Sequence, residues 1–460
     1  MTLLESTNPL QAFQWSPQPE AEALIHELVE EFIASHGFAR KLKNQLFSQA
    51  AVRFSDLVEE VAVYAERPGL SDRLLQAGFL VDDTAGISDV FVHPRGIFPR
   101  VRLVTACRLD VAMKVESVAD FIVAHELDIR IEADPLASVR TAEIADDPFH
   151  SLCLIERHGS RRLMAETFNR PDAVEILWHA EAFRARRRRF GADSQGFAHA
   201  EELIDAAIAS IGVDRACDLF FVAEREFWQR RNRAAQIQKA RQDKLGIGWA
   251  NHDHHTYRSS RQHFAPLMAI FEKLGFHCRE RFYAGAQAGW GAQVLEQPVT
   301  GVIIFADVDL SPDELYEDFA HDGLAPRDQL GTVGLWCALH GEAFLEAGMH
   351  HLECQFAFDP LREQLESREA IKVMKPFTDF PYLRQAFTEG EIWPVRPERI
   401  DRLLKSGRIS AEQAARFREK GAIGSHLENL ERNQGFKGFN QTGVSEIIAR
   451  TDPRAQVAQH

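Results

Sequence analysis

The chain has 460 residues, a formal net charge of −15, 45% hydrophobic residues and 26% charged residues. These values are typical of a globular protein of about two to four domains. The acidic balance argues against a general nucleic-acid binder, because phosphate contacts need a basic surface. The six cysteines are widely spaced and form no Cys-x-x-Cys pair, which argues against a disulfide framework or a zinc ribbon.

No run of about 18 uncharged apolar residues occurs, so we predict no membrane span. The first 20 residues lack a basic start followed by an apolar core, so we predict no signal peptide. Together with the cysteine spacing, these features predict a cytoplasmic protein in a reducing compartment.

In chain order, the apolar spacing first predicts helices over Ala21–Ser35 and Phe47–Glu66. An α+β stretch of roughly β-β-α-β-β follows, with a helix over residues 114–127. Its predicted strands are Val101–Thr105, Leu109–Val115, Asp128–Ala133 and Ser151–Glu156.

Residues 165–243 again favour helix, with long segments over Glu201–Ile211 and Asp218–Gln242. A basic run, Arg184 to Arg189, follows a helical segment. We interpret this run as a solvated helix face, with a nucleic-acid or partner contact as the alternative.

From Gly246 the order becomes β-α-β-β-β, and a further strand is predicted over His350–Phe358. Helices are predicted over Arg396–Ser406 and Ser410–Lys420. The two α+β stretches, about 100–160 and 246–310, are candidate structural copies of one module. We therefore divide the chain into a helical region 1–95, an α+β module 96–165, a helical segment 166–245, a metal-binding module with following strands 246–375, and a helical region 376–460.

The densest group of functional side chains lies in the first strand after Gly246, from Asn251 to Arg258. Alternate residues of a strand share a face, so His252, His254, Thr256 and Arg258 are predicted to lie together. Two imidazoles about 6–7 Å apart can reach a common metal, and an arginine beside them can hold a carboxylate. The structural alternatives are a polar surface strand and histidines that are hydrogen-bonded in a core.

A second group lies in Gly348-Met349-His350-His351-Leu352-Glu353-Cys354-Gln355. As a strand, this segment places His351 and Glu353 on one face, which supplies part of a two-histidine, one-carboxylate site. The alternative is a sheet-edge strand with a solvated glutamate. Weaker candidates are Glu156 with His158 at the end of an earlier strand, and Asp307 with Asp309, which we interpret as caps of a following helix.

The segment after Gly246 resembles one module of the vicinal oxygen chelate superfamily. More closely, it is similar to the first module of the 2-oxoadipate dioxygenase/decarboxylase (hydroxyglutarate synthase) family, over about residues 245 to 310. The residues that carry the resemblance are His254-His255-Thr256-Tyr257-Arg258, Phe271 to Gly275, Phe282-Tyr283, Ala288-Gly289, Val294 to Pro298 and Val302–Val308. His255 stands where the family has glycine.

The resemblance implies an α+β fold in which βαβββ modules form a half-barrel around a metal, here with extensive added helices. It implies that His254 binds Fe(2+) and that Arg258 holds the 2-oxo acid, with Tyr283 and Gln293 as further substrate-binding residues. The family's carboxylate ligand lies on the last strand of the second module, and Glu353 is its best match, with Glu156 as the rival. The second imidazole is assigned to His351 or His252.

The leading hypothesis is therefore a non-haem iron dioxygenase/decarboxylase that acts on a 2-oxoadipate-like carboxylate and O2. The second is a glyoxalase-type lyase or isomerase that uses Zn, Ni or Mn as a Lewis acid. The third is a partner-binding protein in which the histidines hold a structural metal. We predict neither a nucleic acid nor a membrane as a partner.

Overall fold

The computed structural model describes residues 15–82, 89–165, 172–440 and 452–454. Two helices lead into the first of two mixed sheets, and α1 buries seven apolar residues in the core that it shares with that sheet. These helices are α1 (Pro19–Ser35) and α2 (Gly37–Ala50). The side chain of His36, between them, caps α2 by accepting from the amide of Ala39.

The first sheet has seven strands and contains two consecutive modules. The first module runs through β1 (Val58–Tyr64), α3 (Leu70–Gln76), β2 (Leu80–Val81), β3 (Val90–Val92) and β4 (Arg100–Val104). Its strands lie in the order β2-β3-β4-β1, with β4 parallel to β1. This is a βαβββ module, whose last strand returns beside its first.

The second module repeats this path. It runs through β5 (Leu109–Lys114), α4 (Val118–Ala124), β6 (Val139–Asp147) and β7 (His150–Arg157), and an isolated bridge from Glu132 to Thr141 takes the place of its second strand. The strand β7 is parallel to β5, and β5 is antiparallel to β1 where the modules join. The first sheet is therefore a pair of βαβββ modules.

Four helices separate the two sheets. They are α5 (Asp172–Arg184), α6 (Asp193–Ile211), α7 (Val213–Gln229) and α8 (Arg233–Asp243). The long helix predicted over Asp218–Gln242 is interrupted, because Asn232 caps the start of α8 by accepting from the amide of Ala235.

The second sheet has nine strands and again holds two modules. The first of them runs through β8 (His252–Arg258), α9 (Phe264–Lys273), β9 (His277–Tyr283), β10 (Trp290–Glu296) and β11 (Ile303–Asp309), and α10 (Thr332–His340) follows. The second runs through β12 (His351–Gln355), α11 (Phe358–Glu369), β13 (Thr378–Phe380), β14 (Leu383–Phe387), β15 (Glu391–Trp393), α12 (Pro397–Lys405), α13 (Ala411–Lys420) and β16 (Ala422–Arg432).

The strands of this sheet lie in the order β13-β14-β16-β12-β8-β11-β10-β9, with β15 beside β16. Because β12 and β8 are antiparallel neighbours, the first strands of the two modules meet at the centre. The predicted α+β fold of βαβββ modules in a half-barrel of vicinal-oxygen-chelate type, with many added helices, is confirmed. The chain contains two such pairs of modules in succession.

Some of the predicted elements are wrong. Residues 58–64, predicted as helix, form β1, because Val61 and Val63 pack into the core on one strand face. Asp128–Ala133 contributes one bridge rather than a strand, and β6 was not predicted. The region 376–460, predicted as helical, contains β13 to β16 as well as two helices. The limits of the five regions stay a prediction.

The basic run Arg184 to Arg189 is not a solvated helix face throughout. Arg186 and Arg188 are buried beside Glu224 of α7, and Arg186 donates to its carboxylate over 2.8 Å. The buried Tyr257 hydroxyl also donates to Glu224. Glu224 of α7 therefore connects both the basic run and the strand β8, a tertiary contact that sequence spacing does not reveal.

Candidate metal centre

The strand β8 contains a bulge that decides which histidines share a face. Glu353 lies opposite His254, but the next residue of β12, Cys354, lies opposite His252, so Asp253 is an extra residue on β8. His254, Thr256 and Arg258 line a cavity in the curve of the sheet. His252 is turned to the opposite face, where its ring lies 5.5 Å from that of His255.

The strand β12, which lies beside β8, and the next strand of the sheet, β16, carry the same tripeptide in register. His351-Leu352-Glu353 of β12 lies directly opposite His426-Leu427-Glu428 of the parallel strand β16. The cavity floor therefore has two rows of side chains across three strands. One row holds Thr256, His351 and His426, and the other holds His254, Glu353 and Glu428.

The ligand atoms of these rows converge. His254 Nε2 lies 3.2 Å from Glu353 Oε1, His351 Nε2 contacts the same oxygen, and His351 Nε2 lies 3.8 Å from Glu428 Oε2. Neighbouring ligands of one metal ion lie about 3 Å apart when each bond is about 2.1 Å long. The spacing of the four side chains therefore fits a common divalent ion.

A supporting shell fixes the orientation of His254. Its Nδ1 donates to Asp253 Oδ2 over 2.8 Å, which leaves Nε2 as the nitrogen that faces the cavity. Asp253 accepts in turn from Arg432 and from the side-chain amide of Gln355, at 2.8 and 2.9 Å. A carboxylate behind a histidine is the usual arrangement around metal-bound imidazoles.

Burial shifts the pKa values of the candidate ligands. It lowers the pKa of His254 and, together with the neighbouring imidazoles, lowers the pKa of His351 well below its usual value. Burial and the charge of Glu428 raise the pKa of Glu353 well above the ordinary range. A bound cation reverses the effect on the carboxyl groups, because it favours their ionised form.

Several buried polar atoms at this floor have no hydrogen-bond partner among the described residues. They are Glu353 Oε2, His351 Nδ1 and His426 Nε2. Unpartnered buried polar atoms are costly, and a cluster of them calls for an explanation. The donor set of imidazoles and carboxylates suits a divalent transition metal, so these residues fit the metal ion that is expected for this type of fold.

The other end of the cavity holds a buried arginine and a buried aspartate. Arg258 and Asp307 lie opposite each other on β8 and β11, with 3.7 Å between Arg258 Nε and Asp307 Oδ2. Arg258 Nε and Nη1 and Asp307 Oδ1 have no hydrogen-bond partner in the described structure. Burial raises the pKa of Asp307 to about 7 despite the opposing charge of Arg258. This end can therefore hold an anionic or hydrogen-bonding group.

Aromatic side chains form the walls between the two ends. The cavity has a volume of about 60 Å³. Phe439, which follows β16, packs on His254 and Phe305 with ring centroids 4.9 and 4.8 Å apart. The other aromatic residues that line the cavity are Phe282, Trp290, Phe377 and Phe387. Apolar walls lower the local dielectric and strengthen electrostatic interactions inside.

The structure brings together four of the predicted site residues, namely His254, His351, Glu353 and Arg258. The structure does not bring the other three predicted site residues to the cavity. His252 is turned away by the bulge at Asp253. Tyr283 and Gln293 lie opposite Gly291 and Arg281, one strand position away from the cavity-lining Phe282, so they face away from the cavity. Gln293 donates instead to the carbonyls of Glu280 and Val294.

Glu156, the rival carboxylate, lies in the first sheet and has local partners. It accepts from Arg140, from the amide of Val118 and from His158, at 3.0, 2.8 and 2.9 Å. His158 also contacts Asp218 of α7 at 3.2 Å. Glu156 is therefore part of a structural ion-pair network and does not reach the cavity.

Sequence reasoning missed Glu428 and His426. They lie on β16, the last strand of the second module, which was not predicted. A signal was present, because His-Leu-Glu occurs at both 351–353 and 426–428. Asp307 was interpreted as a helix cap, but it lines the cavity. Asp309 does cap, since it accepts from the amides of Gly331, Val333 and Gly334 around the start of α10.

No family model matches the chain. No curated protein matches it either. Solved structures with a similar fold include a glyoxalase superfamily protein from Ralstonia eutropha JMP134, with 11% identity over 58% of this chain and 99% of that one, at a TM-score of 0.33. Methylmalonyl-CoA epimerase from Mycobacterium tuberculosis has 12% identity over 40% of this chain and 89% of that chain, at a TM-score of 0.23.

A variant of 4-hydroxymandelate synthase from Streptomyces coelicolor is 12% identical over 87% of this chain and 99% of that chain, with a TM-score of 0.26. The arrangement of the modules rests on the strand order described above and not on these similarities. No helix within the described ranges is long and apolar enough to cross a membrane.

Proposed function

We propose that this protein is a non-haem iron(II) dioxygenase that acts on a 2-oxo acid, similar to the 2-oxoadipate dioxygenase/decarboxylase family. The observation that carries the proposal is the convergence of His254, His351, Glu353 and Glu428 from three adjacent strands. Imidazole and carboxylate ligands around open positions suit iron(II) and oxygen chemistry. Bound iron would supply a coordination site for the substrate's keto and carboxylate oxygens and for O2.

The protein's own groups orient the substrate. Arg258 lines the cavity, has two unpartnered N–H groups, and binds a carboxylate at the end away from His254. Its Cα is four residues from that of His254, about 13 Å along an extended strand. A small 2-oxo acid with a second carboxylate spans this distance, and the aromatic walls exclude water from it.

Oxygen uptake tests this proposal directly. Metal-free protein is loaded with iron(II) without air and then mixed with a panel of 2-oxo acids, and O2 consumption and CO2 release are measured. We expect uptake that requires both iron and substrate. His254→Ala and Glu428→Gln should reduce it at least about 100-fold, because each removes a ligand. Iron-loaded protein that consumes no O2 with any 2-oxo acid contradicts the proposal.

Arg258→Gln tests the substrate's orientation. It should raise KM about 10- to 100-fold for 2-oxo dicarboxylates while metal content stays unchanged, because it removes a charged hydrogen-bond partner. Arg384→Gln is the matched control, since Arg384 lies in the same sheet but pairs with Asp359 and Asp379 outside the cavity. An equal effect of both variants contradicts a substrate contact by Arg258.

The cavity's spare carboxyl groups favour a second candidate, a metal-dependent lyase or isomerase. Glu353 Oε2 and Asp307 Oδ1 have no partner among the described side chains and can accept a proton from a substrate carbon. Zinc, nickel or manganese would then serve as a Lewis acid without O2. Exchange of substrate protons with deuterated solvent, in the absence of O2 uptake, identifies this activity.

A further inference from the structure

The cavity floor, together with the buried His350 beside it, carries more ligating side chains than one metal ion requires. Two groups of three have ligand atoms within 4.8 Å of one another, and they share no residue. The first comprises His254, Glu353 and Glu428, and the second comprises His350, His351 and His426. All six side chains are buried. An enzyme metal site normally takes three protein ligands, so a single ion leaves about half of this set unused.

The spacing of the three imidazoles in the second group matches a common ion. Their ring centroids lie 4.6 Å apart for His350 and His351, 4.7 Å for His350 and His426, and 4.5 Å for His351 and His426. A metal bound to a ring nitrogen lies about 3.2 Å from the ring centre, so two imidazoles at a right angle have centroids about 4.5 Å apart. The three rings therefore have the spacing of three adjacent ligands.

The nitrogens of this group lack other partners. Both ring nitrogens of His350, Nδ1 of His351 and Nε2 of His426 have no hydrogen-bond partner among the described residues. Trp336 stacks on His350 at 5.3 Å with 20° between the rings, which fixes the ring without satisfying its nitrogens. A bound ion would satisfy one nitrogen of each ring at once, whereas the apolar packing around them leaves each nitrogen desolvated.

A carboxylate connects the two groups. Glu353 Oε1 contacts His351 Nε2 and lies 3.2 Å from His254 Nε2, so it touches one imidazole of each group. Carboxylates between two ions commonly hold them about 3.5–4 Å apart. Glu353 is therefore placed to bridge an ion bound by the first group and an ion bound by the second.

We propose that this centre binds two divalent ions, one at His254, Glu353 and Glu428 and one at His350, His351 and His426. The proposal rests on the metal site of the proposed function and assigns His351 to the second ion. Glu353 bridges the pair. The excess positive charge of two ions favours an anionic substrate, consistent with the buried Arg258 at the same cavity.

Metal stoichiometry tests the second ion. Metal-free protein is loaded with Mn²⁺ without air and passed through a desalting column, and manganese per chain is measured with the electron paramagnetic resonance spectrum. The variants are His426→Gln and His254→Gln. His321→Gln is the matched control, because Glu272, Cys278 and His321 form an exposed group of possible ligands outside the cavity. Circular dichroism checks folding, and His350→Gln replaces His426→Gln if the latter unfolds.

We expect two ions per chain with an exchange-coupled spectrum in the wild type and in His321→Gln, and one uncoupled ion in His426→Gln and in His254→Gln. One ion in the wild type, lost in His254→Gln and kept in His426→Gln, overturns the second site and leaves the proposed function standing. An ion lost in His321→Gln belongs to the surface and also overturns it. No ion in the wild type overturns both proposals.

Discussion

The two sheets of this protein share one strand order but treat their buried charges in opposite ways. In the first sheet, Glu60 of β1 is paired with Arg100 and Arg102 of the neighbouring β4, at 3.2 and 2.7 Å. In the second sheet, the corresponding central strands carry Glu353 and Glu428 side by side, with imidazoles and without a paired arginine at the same point.

The difference separates a structural network from a candidate site. Charges that are paired with each other compensate one another's burial and leave little capacity for a ligand. Ligating atoms that are buried, close together and unpartnered destabilise the free protein and favour an added cation. The same βαβββ module therefore serves as a scaffold in one half of the chain and as a candidate metal centre in the other.

The largest expected effect comes from changing Asp253, the carboxylate that supports His254 in the second sheet. Asp253→Asn should lower metal affinity about 10- to 100-fold, because it removes the carboxylate that orients His254. A competition titration with a chelating dye measures the affinity. Glu60→Gln, in the first sheet, is the control and should leave the affinity unchanged. Equal affinity in Asp253→Asn and wild type would show that His254 needs no such support.

A second prediction compares how Glu428 of the second sheet and Glu60 of the first sheet affect the stability of the metal-free protein. Near pH 7, Glu428→Gln should raise the free energy of unfolding by about 1–2 kcal/mol. Burial raises the pKa of Glu428 to about 8, so the folded protein must bind a proton there that the unfolded chain does not bind, and glutamine removes this cost. Glu60→Gln should lower it by about 1–2 kcal/mol, because Arg100 and Arg102 lose their partner but are partly exposed. Urea unfolding in the presence of a chelator measures both. A loss of stability in both variants contradicts the comparison.

The smallest predicted effect concerns the first sheet and its pH dependence. Burial disfavours a charged His158, but hydrogen bonds to Asp218 and Glu156 outweigh it and raise the pKa to about 9. The unfolded value is about 6.5, so this stabilisation is complete below pH 6.5 and is lost as the pH rises through 9.

Over pH 6.5 to 9.5 this pKa difference corresponds to at most about 3 kcal/mol. Because the His158 side chain is 24% exposed and solvent screens its ion pairs, we expect the wild type to lose about 1 kcal/mol more stability than His158→Gln. Urea unfolding midpoints at a series of pH values measure this difference. Parallel pH profiles for the two proteins would show that the imidazole carries no extra charge in the folded state.

The sequence allowed prediction of much of the second sheet. Its β-α-β-β-β order after Gly246, the α+β class and the candidate ligands His254, His351 and Glu353 all followed from residues close together in the chain. The first sheet was harder to predict, because β2 has two residues and β3 has three, and one strand of its second module is reduced to a bridge. Such short strands show no alternation of apolar and polar residues.

The sequence by itself determined which chemistry the centre contains, because imidazoles and carboxylates are dense around β8 and β12. Only the tertiary structure decided which of them meet. The bulge at Asp253 turned His252 away, and the parallel pairing of β12 with β16 brought Glu428 and His426 beside Glu353 and His351. The physical reason is that strand periodicity fixes faces only within a regular strand, whereas bulges and pairing between strands distant in sequence depend on the packing of the whole sheet.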